Sequence, residues 1–233
     1  MKRIVVPEEM DDEAIGRKEH QHALQGLERL NFFSGSAQHL WPAIEALACQ
    51  RRERPLRVLD IATGSGDIPI SLWKKARKKN ILLEIAACDK SSQALDFARE
   101  KARANGVAVH FFSLDIHEME IPAGYDVLIS SLFLHHLQEE EAAKFLKSLA
   151  QQAKQLVLVN DLARSVPGLL LAFLGTRLLT ASAVVHTDGV RSAQAAFSLA
   201  EIKKMAQDAG LRGARIECRW PSRFLLLWKK EAH

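Results

Sequence analysis

The sequence predicts an α/β protein: a doubly wound, seven-stranded, mostly parallel sheet with a terminal antiparallel hairpin, N-terminal helices, and a helical cap inserted after the fifth strand. Three observations predict it. From Pro55 onward, short apolar runs alternate with amphipathic stretches, the pattern of buried parallel strands separated by helices. A glycine-containing loop follows the first apolar run. A long apolar stretch then interrupts the alternation after the fifth run. A length of 233 residues suits one such domain with a buried core. Hydrophobic residues at 48% and charged residues at 26% are ordinary globular proportions, which excludes disorder of the whole chain.

The elements follow in order. Residues 8–30 read as a polar helix started by Pro7, with Leu24, Leu27 and Leu30 as its apolar side. Ser34-Gly35-Ser36 reads as a turn, and a second helix runs to about Gln50. Strands are expected at 56–61, 82–88, 107–112, 125–131 and 156–160, with helices at 67–79, 91–104 and 139–152. A helix at 198–209 ends at Gly210, a natural C-cap. Strands at 212–219 and 223–228 close the chain, with Pro221 in the turn between them.

Residues 166–185 are nearly all apolar and reach membrane-spanning length, but Pro167, Gly168, Gly175 and Arg177 interrupt them. The stretch reads as an apolar cap over a pocket or as a membrane-surface contact, with no transmembrane segment. Leu169–Leu171, Phe173, Leu174, Leu178 and Leu179 are assigned to the cap, and many of them are expected to pack on the domain. The polar run 186–192 follows it directly. Asp188-Gly189 in that run marks a turn, so the plain reading is a loop tip. The alternative is that His186 and Arg191 reach a bound molecule.

The formal charge is +4. The excess sits at Arg51, Arg52 and Arg54, and at Lys74, Lys75, Arg77, Lys78 and Lys79 at a helix end, where the helix dipole favours cations. Neither cluster is interleaved with stacking aromatics, so both read as solvated faces and no nucleic-acid partner is expected. Cys49, Cys88 and Cys218 lack zinc spacing and form no disulfide framework, and no metal site is expected. Reduced thiols and an N-terminus without a signal-peptide core point to the cytoplasm. Cys88, inside an apolar strand, reads as a small core residue.

The first strand ends at Leu59-Asp60, and Ile61-Ala62-Thr63-Gly64-Ser65-Gly66-Asp67 opens a helix. Glycines there let the backbone turn sharply and approach a ligand closely. In such sheets ligands bind beyond the carboxyl ends of the strands. The second strand ends in Asp89-Lys90, and an acidic tip at that place can accept from both ribose hydroxyls; it can also cap the next helix. A nicotinamide fingerprint needs a third glycine three residues after Gly66, where Pro69 stands.

With Leu114-Asp115-Ile116 after the third strand and Asp126 to Leu132 along the fourth, the chain resembles the class I (Rossmann-like) S-adenosylmethionine-dependent methyltransferases. The resemblance is strong over residues 55–162. It implies that Asp60, Ala62, Gly64 and Gly66 lie along the methionine part of S-adenosylmethionine. Asp89 would bind the ribose and Lys90 would border the adenine. Asp115 and Ile116 would hold the adenine, and Ser130 would line the loop beside the cofactor. The family loop has three alternate glycines, and here Ala62 stands at the first.

The acceptor must be sought elsewhere. His135 or His136, after the fourth strand, resembles the histidine of many small-molecule methyltransferases, and either suits a base. Asn160, Asp161 and Arg164 follow the fifth strand, where polar groups point into the crevice. Arg164 is placed either to salt-bridge Asp161 or to meet an acidic group of the acceptor. Asn-Asp-Leu-x-Arg-Ser at 160–165, His-x-Asp-Gly at 186–189, and Arg29-Leu30-Asn31 before a Gly turn resemble a bacterial small-molecule, polyketide-type subgroup. That resemblance implies an N-terminal helical region, 1–54, covering the active site, a main domain at 55–233 and a cap at about 164–197. It makes His135, His136 and His186 catalytic candidates, with Asn31, Asn160, Asp161, Arg164 and Arg191 as acceptor contacts.

The function so implied is methylation of a small apolar or aromatic acceptor, on a phenolic or polyketide-like hydroxyl, by a monomer or homodimer. C-methylation of a quinone or polyketide precursor, a macromolecular acceptor, and cofactor binding without transfer are the alternatives. No Asn-Pro-Pro-Tyr-type loop follows the fourth strand, which argues against base N-methylation.

Overall fold

The computed structural model describes residues 1–11, 15–50 and 54–231. Three expectations fall partly outside these residues: the helix at 8–30, the basic cluster at Arg51 and Arg52, and the N-terminal region at 1–54.

Five strands form the parallel part of the sheet: β1 (Leu56–Ile61), β2 (Leu83–Asp89), β3 (His110–Ser113), β4 (Val127–Ser131) and β5 (Leu156–Leu162). The last two strands, β6 (Arg215–Arg219) and β7 (Arg223–Lys229), form the antiparallel hairpin, with β7 inserted beside β5. The sheet order is β3-β2-β1-β4-β5-β7-β6. The chain winds outward from β1 to one edge, then crosses back to β4, which creates a crevice at the carboxyl ends of β1 and β4.

Alternation along each strand divides the core. Leu56 and Val58 of β1 join Val127, Ile129 and Leu158 on one face, under helices α2 (Ser36–Ala48) and α3 (Asp67–Lys78). Leu59 and Ile61 join Leu128, Val157 and Val159 on the other, under α5 (Glu139–Gln152) and α8 (Leu199–Asp208). Helix α4 (Ser92–Ala104) lays Leu95, Ala98 and Ala102 against Ala87 and Phe111. Cys88 is fully buried here, as its apolar context implied. Burying both faces of the strands is what their near-continuous hydrophobicity requires. Asp126 ties the opposite end of the sheet: its carboxylate accepts from Arg57 N at 3.1 Å and from Gln155 Nε2 at 2.8 Å.

The N-terminal expectation needs correction. The chain does not enter a helix at Pro7. Residues 1–7 form no helix or strand, a short 3-10 turn covers Glu9–Asp11, and α1 spans Arg17–Phe33. The backbone N–H groups of Glu9 and Met10 donate to the Asp188 carboxylate at 2.8 and 3.0 Å, so a tertiary contact ties this segment down instead of a longer helix. Leu24 is buried as expected, and Leu27 and Leu30 pack with Ala23 against Val184 and Val185.

The cap is two helices, α6 (Val166–Leu179) and α7 (Ala183–Ala195), joined by a turn capped by Ser182. The loop tip expected at Asp188-Gly189 is the interior of α7. A Cβ on Gly189 would lie 2.5 Å from Thr176 Cγ2, so the glycine lets α7 cross α6 closely. Helix α6 departs from expectation in another way: Val166, Leu170, Phe173, Leu174 and Leu178 are exposed instead of packed on the domain. Among the described residues no helix is long and apolar enough to cross a membrane.

Candidate active site

The loop after β1 is built on backbone that turns left-handed three times, at Ala62 (φ 57°), Gly64 (φ 53°) and Gly66 (φ 69°). A Cβ on Gly66 would meet Ala98 Cβ at 3.0 Å and Phe111 Cε1 at 3.1 Å, so the loop is pressed onto α4 and β3. Gly64 faces open space: nothing lies within 4 Å of where its Cβ would be. Gly64 N donates to Asp89 Oδ2 at 2.8 Å, and Ser91 N donates to Asp89 Oδ1 at 2.9 Å. The tip of β2 is thereby locked to the loop, and Ser91 caps α4.

Asp60 is buried at the end of β1. Its Oδ2 accepts from Thr63 Oγ1 at 2.6 Å, while Oδ1 has no hydrogen-bond partner. Burial, with the charges of Asp67 and Asp89 adding to it against the Thr63 hydrogen bond, pushes its carboxyl up to about 7. Two further buried polar atoms at neighbouring strand ends lack hydrogen-bond partners: Ser130 Oγ on β4 and Asn160 Oδ1 on β5. The Asn160 amide itself donates to Ser131 Oγ at 2.9 Å. Lys90 is exposed beside Asp89. Asp115 accepts from His117 N at 2.9 Å in a side-chain turn, and Ile116 packs half-buried on the core.

A second constellation lies past β4 and β5. Asp161 is buried and accepts from Phe133 N at 3.1 Å, His135 N at 3.3 Å and His135 Nδ1 at 2.6 Å. The His135 ring points its Nε2 at Glu8 Oε1, 3.6 Å away, and His136 Nε2 lies 3.8 Å from Glu8 Oε2. Burial alone would lower the His135 imidazole, but the charges of Asp161 and Glu8, with the Asp161 hydrogen bond, overcome it and push it up to about 10. The same pairing holds Asp161 and Glu8 below the usual carboxylate range despite their burial. His136 is about a quarter exposed and stacks between Phe133 and His135.

Glu8 was not foreseen. It arrives on the N-terminal segment, where sequence showed only a charged run. Ser192 Oγ donates to it. Arg3 clamps the same segment, donating to the carbonyls of Ala195 (2.6 Å), His135 (3.0 Å) and Leu137 (2.7 Å). Arg223 was also missed. It is buried, donates to Ser36 Oγ and reaches Asn31 Oδ1 at 3.4 Å, and burial pulls it down to about 10.

Two acceptor-contact candidates, Arg164 and Arg191, and one catalytic candidate, His186, hold partners within the protein. Arg164 pairs with Glu201 at 2.7 Å instead of Asp161, and its remaining donors hold the carbonyls of Met1 and Ala196. Arg191 holds Pro7 O, Glu9 and Asp188. His186 Nε2 meets Thr180 O at 2.8 Å within the cap. Arg164 and Arg191 tie the cap to the N-terminal segment and to α8, and His186 braces the cap internally. Asn31 likewise joins Ser36 and Arg223.

Residues 58–155 match the family model for the methyltransferase domain. Over these residues the chain is similar to the class I, S-adenosylmethionine-dependent methyltransferases. Among curated proteins, the chain is 39% identical over 87 residues to a demethylmenaquinone methyltransferase of Deinococcus radiodurans, covering 37% of this chain and 33% of that one. It is 34% identical over 88 residues to a release factor glutamine methyltransferase of Streptococcus pneumoniae, covering 38% and 30%. The chain thus spans about a third of the length of the curated relatives it matches. The methyltransferase fold extends further. Magnesium protoporphyrin IX methyltransferase from Synechocystis, with S-adenosylhomocysteine bound, superposes with a TM-score of 0.59 at 20% identity over 84% of each chain. The plantazolicin methyltransferase superposes with a TM-score of 0.62 at 15% identity over 96% of this chain and 88% of that one.

The residues present fit the cofactor of such a domain. The open space over Gly64 and the unpartnered atoms of Asp60, Ser130 and Asn160 occupy adjacent strand ends, where a polar ligand would satisfy them.

Proposed function

We propose that the protein transfers a methyl group from S-adenosylmethionine to the hydroxyl oxygen of a small apolar or aromatic molecule, such as a phenol or polyketide. The observation that carries this reading is the buried chain Asp161–His135–Glu8–His136 beside the carboxyl ends of β4 and β5. It sets a proton-accepting group at the end of the sheet where the cofactor residues cluster.

When bound, S-adenosylmethionine supplies an already activated methyl group. Asp60, Ala62, Gly64 and Gly66 are assigned to its methionine part, Asp89 to the ribose, Lys90, Asp115 and Ile116 to the adenine, and Ser130 to the adjoining loop. Both Asp89 oxygens hold a backbone N–H, which fixes the carboxylate at the tip of β2.

The acceptor hydroxyl must lose a proton as its oxygen is methylated. His136, the member of the cluster that solvent reaches, is assigned to meet that hydroxyl, and Glu8 to orient the imidazole. His135, held between Asp161 and Glu8, is a positioning residue that fixes Glu8. Asn160 and Asp161 are assigned to border this corner, and Asn31, held by Ser36 and Arg223, to contact the acceptor. Arg164, Arg191 and His186 are assigned to holding the cover closed, which keeps water out. Phe133 and the apolar cap favour an apolar acceptor. The exposed aliphatic face of α6, whose single charge is Arg177, supports contact with a membrane surface in taking up such a molecule.

The test is turnover with S-adenosylmethionine and a panel of phenolic and polyketide-like acceptors, read by product mass and methyl position. O-methylated product supports the reading. Methylation of carbon, or of protein or RNA alone, overturns it.

A further inference from the structure

We infer that Glu8, His135 and His136 form a binding site for a divalent zinc ion. The inference rests on the function proposed above only for what the ion would do there; the site stands on its own geometry.

Among the described residues, these three form a group whose ligand-capable atoms all lie within 4.8 Å of one another. The nitrogen–oxygen separations of 3.6 and 3.8 Å are too long for hydrogen bonds. They match two donors on one ion: bonds of about 2.0–2.2 Å in tetrahedral array put donor atoms roughly 3.4 Å apart. His135 Nε2 is buried, has no hydrogen-bond partner and is aimed into this space.

The surroundings are those of a ligand set. Asp161 Oδ1 sits 2.6 Å from His135 Nδ1, and such a carboxylate fixes the tautomer that offers Nε2 to a metal. Ser192 fixes Glu8 in turn. The rings of His135 and His136 lie side by side, centroids 4.4 Å apart, so that both direct Nε2 toward Glu8. Two imidazoles and a carboxylate favour zinc over magnesium or calcium, which prefer oxygen donors. Glu8 and Asp161 balance the ion's two charges in a buried place. Binding releases any proton on the ligating imidazole nitrogens.

Three protein ligands leave a fourth position open. Glu8 and His135 are buried while His136 is partly exposed, so that position opens on the His136 side. With zinc bound, the ion would take over from His136 as the group that meets the acceptor oxygen, and it would favour that oxygen's deprotonated form.

The experiment is calorimetric titration of zinc into the full chain stripped with chelator, with cobalt substitution followed by visible absorption. One zinc per chain and tetrahedral cobalt bands are expected. Asp161→Asn should weaken zinc binding by about 10–100-fold. His136→Gln, at the partly exposed position, should weaken it further, and a circular dichroism spectrum like the wild type's secures the comparison if Glu8→Gln fails to fold. No zinc binding by the folded wild type, or binding unchanged in both variants, overturns the site. Zinc binding without methyl transfer to any phenol supports the site and overturns the function proposed above. Methyl transfer with no zinc binding does the reverse.

Discussion

Ala62 holds a backbone conformation that costs an L-residue about 1–2 kcal/mol and glycine almost nothing. Ala62→Gly removes that strain but adds about 0.4–1 kcal/mol of unfolded-chain entropy. The net expectation is a gain of up to about 1 kcal/mol, or roughly 2–4 °C in melting temperature; a lower melting temperature would show that the methyl group packs usefully. Asp60 is the other informative residue. Its folded value of about 7 lies above the ordinary 3.8, so the native state retains a proton that the unfolded chain releases. The group therefore costs the fold stability as pH rises from about 4 to about 7. A cationic amino group bound beside it favours the carboxylate, so affinity for S-adenosylhomocysteine should rise with pH through about 7. Calorimetry from pH 6 to 8 checks this: Asp60→Asn should flatten the profile, and a wild-type profile without slope would contradict the assignment. The turn after β1 was legible, because its residues lie together in sequence and its left-handed backbone at Gly64 and Gly66 is what glycine permits. Glu8 and Arg223 were illegible for the opposite reason. Their partners are distant along the chain, and nothing local distinguishes them from surface charges.

At the scale of elements, the sheet and the helices flanking it follow from hydrophobic alternation, with ends shifted by a few residues. β3 begins at His110 instead of 107, and β4 at Val127 instead of 125. The cap was less legible. Asp188-Gly189 carries turn chemistry, yet it lies inside α7, where the glycine serves a helix crossing and the aspartate binds the N-terminal segment. Gly189→Ala forces a methyl group against Thr176 and should destabilise the protein by about 1–3 kcal/mol by thermal denaturation. A neutral effect would mean that α6 and α7 shift apart freely.

At the scale of the molecule, the first eleven residues complete the site. They carry Glu8 to the histidines, and Arg3, Asp188 and Arg191 fasten them over α7. Hydrogen bonds from a charged group contribute about 1.5–3 kcal/mol each, and 1.4 kcal/mol is a tenfold change in an equilibrium. Arg3→Ala should therefore lower kcat/KM at least about tenfold while leaving S-adenosylhomocysteine affinity unchanged. Steady-state kinetics beside calorimetry separate the two effects; equal losses in both would show that the segment serves the cofactor site instead.

The most direct measurement is a crystal structure with S-adenosylhomocysteine bound. The expected result has the ribose hydroxyls on Asp89, the adenine between Asp115 and Ile116, and the sulfur facing the Glu8–His135–His136 cluster across a space sized for a small acceptor. A cofactor bound elsewhere, or a sulfur screened from that cluster by the sheet, would contradict the account.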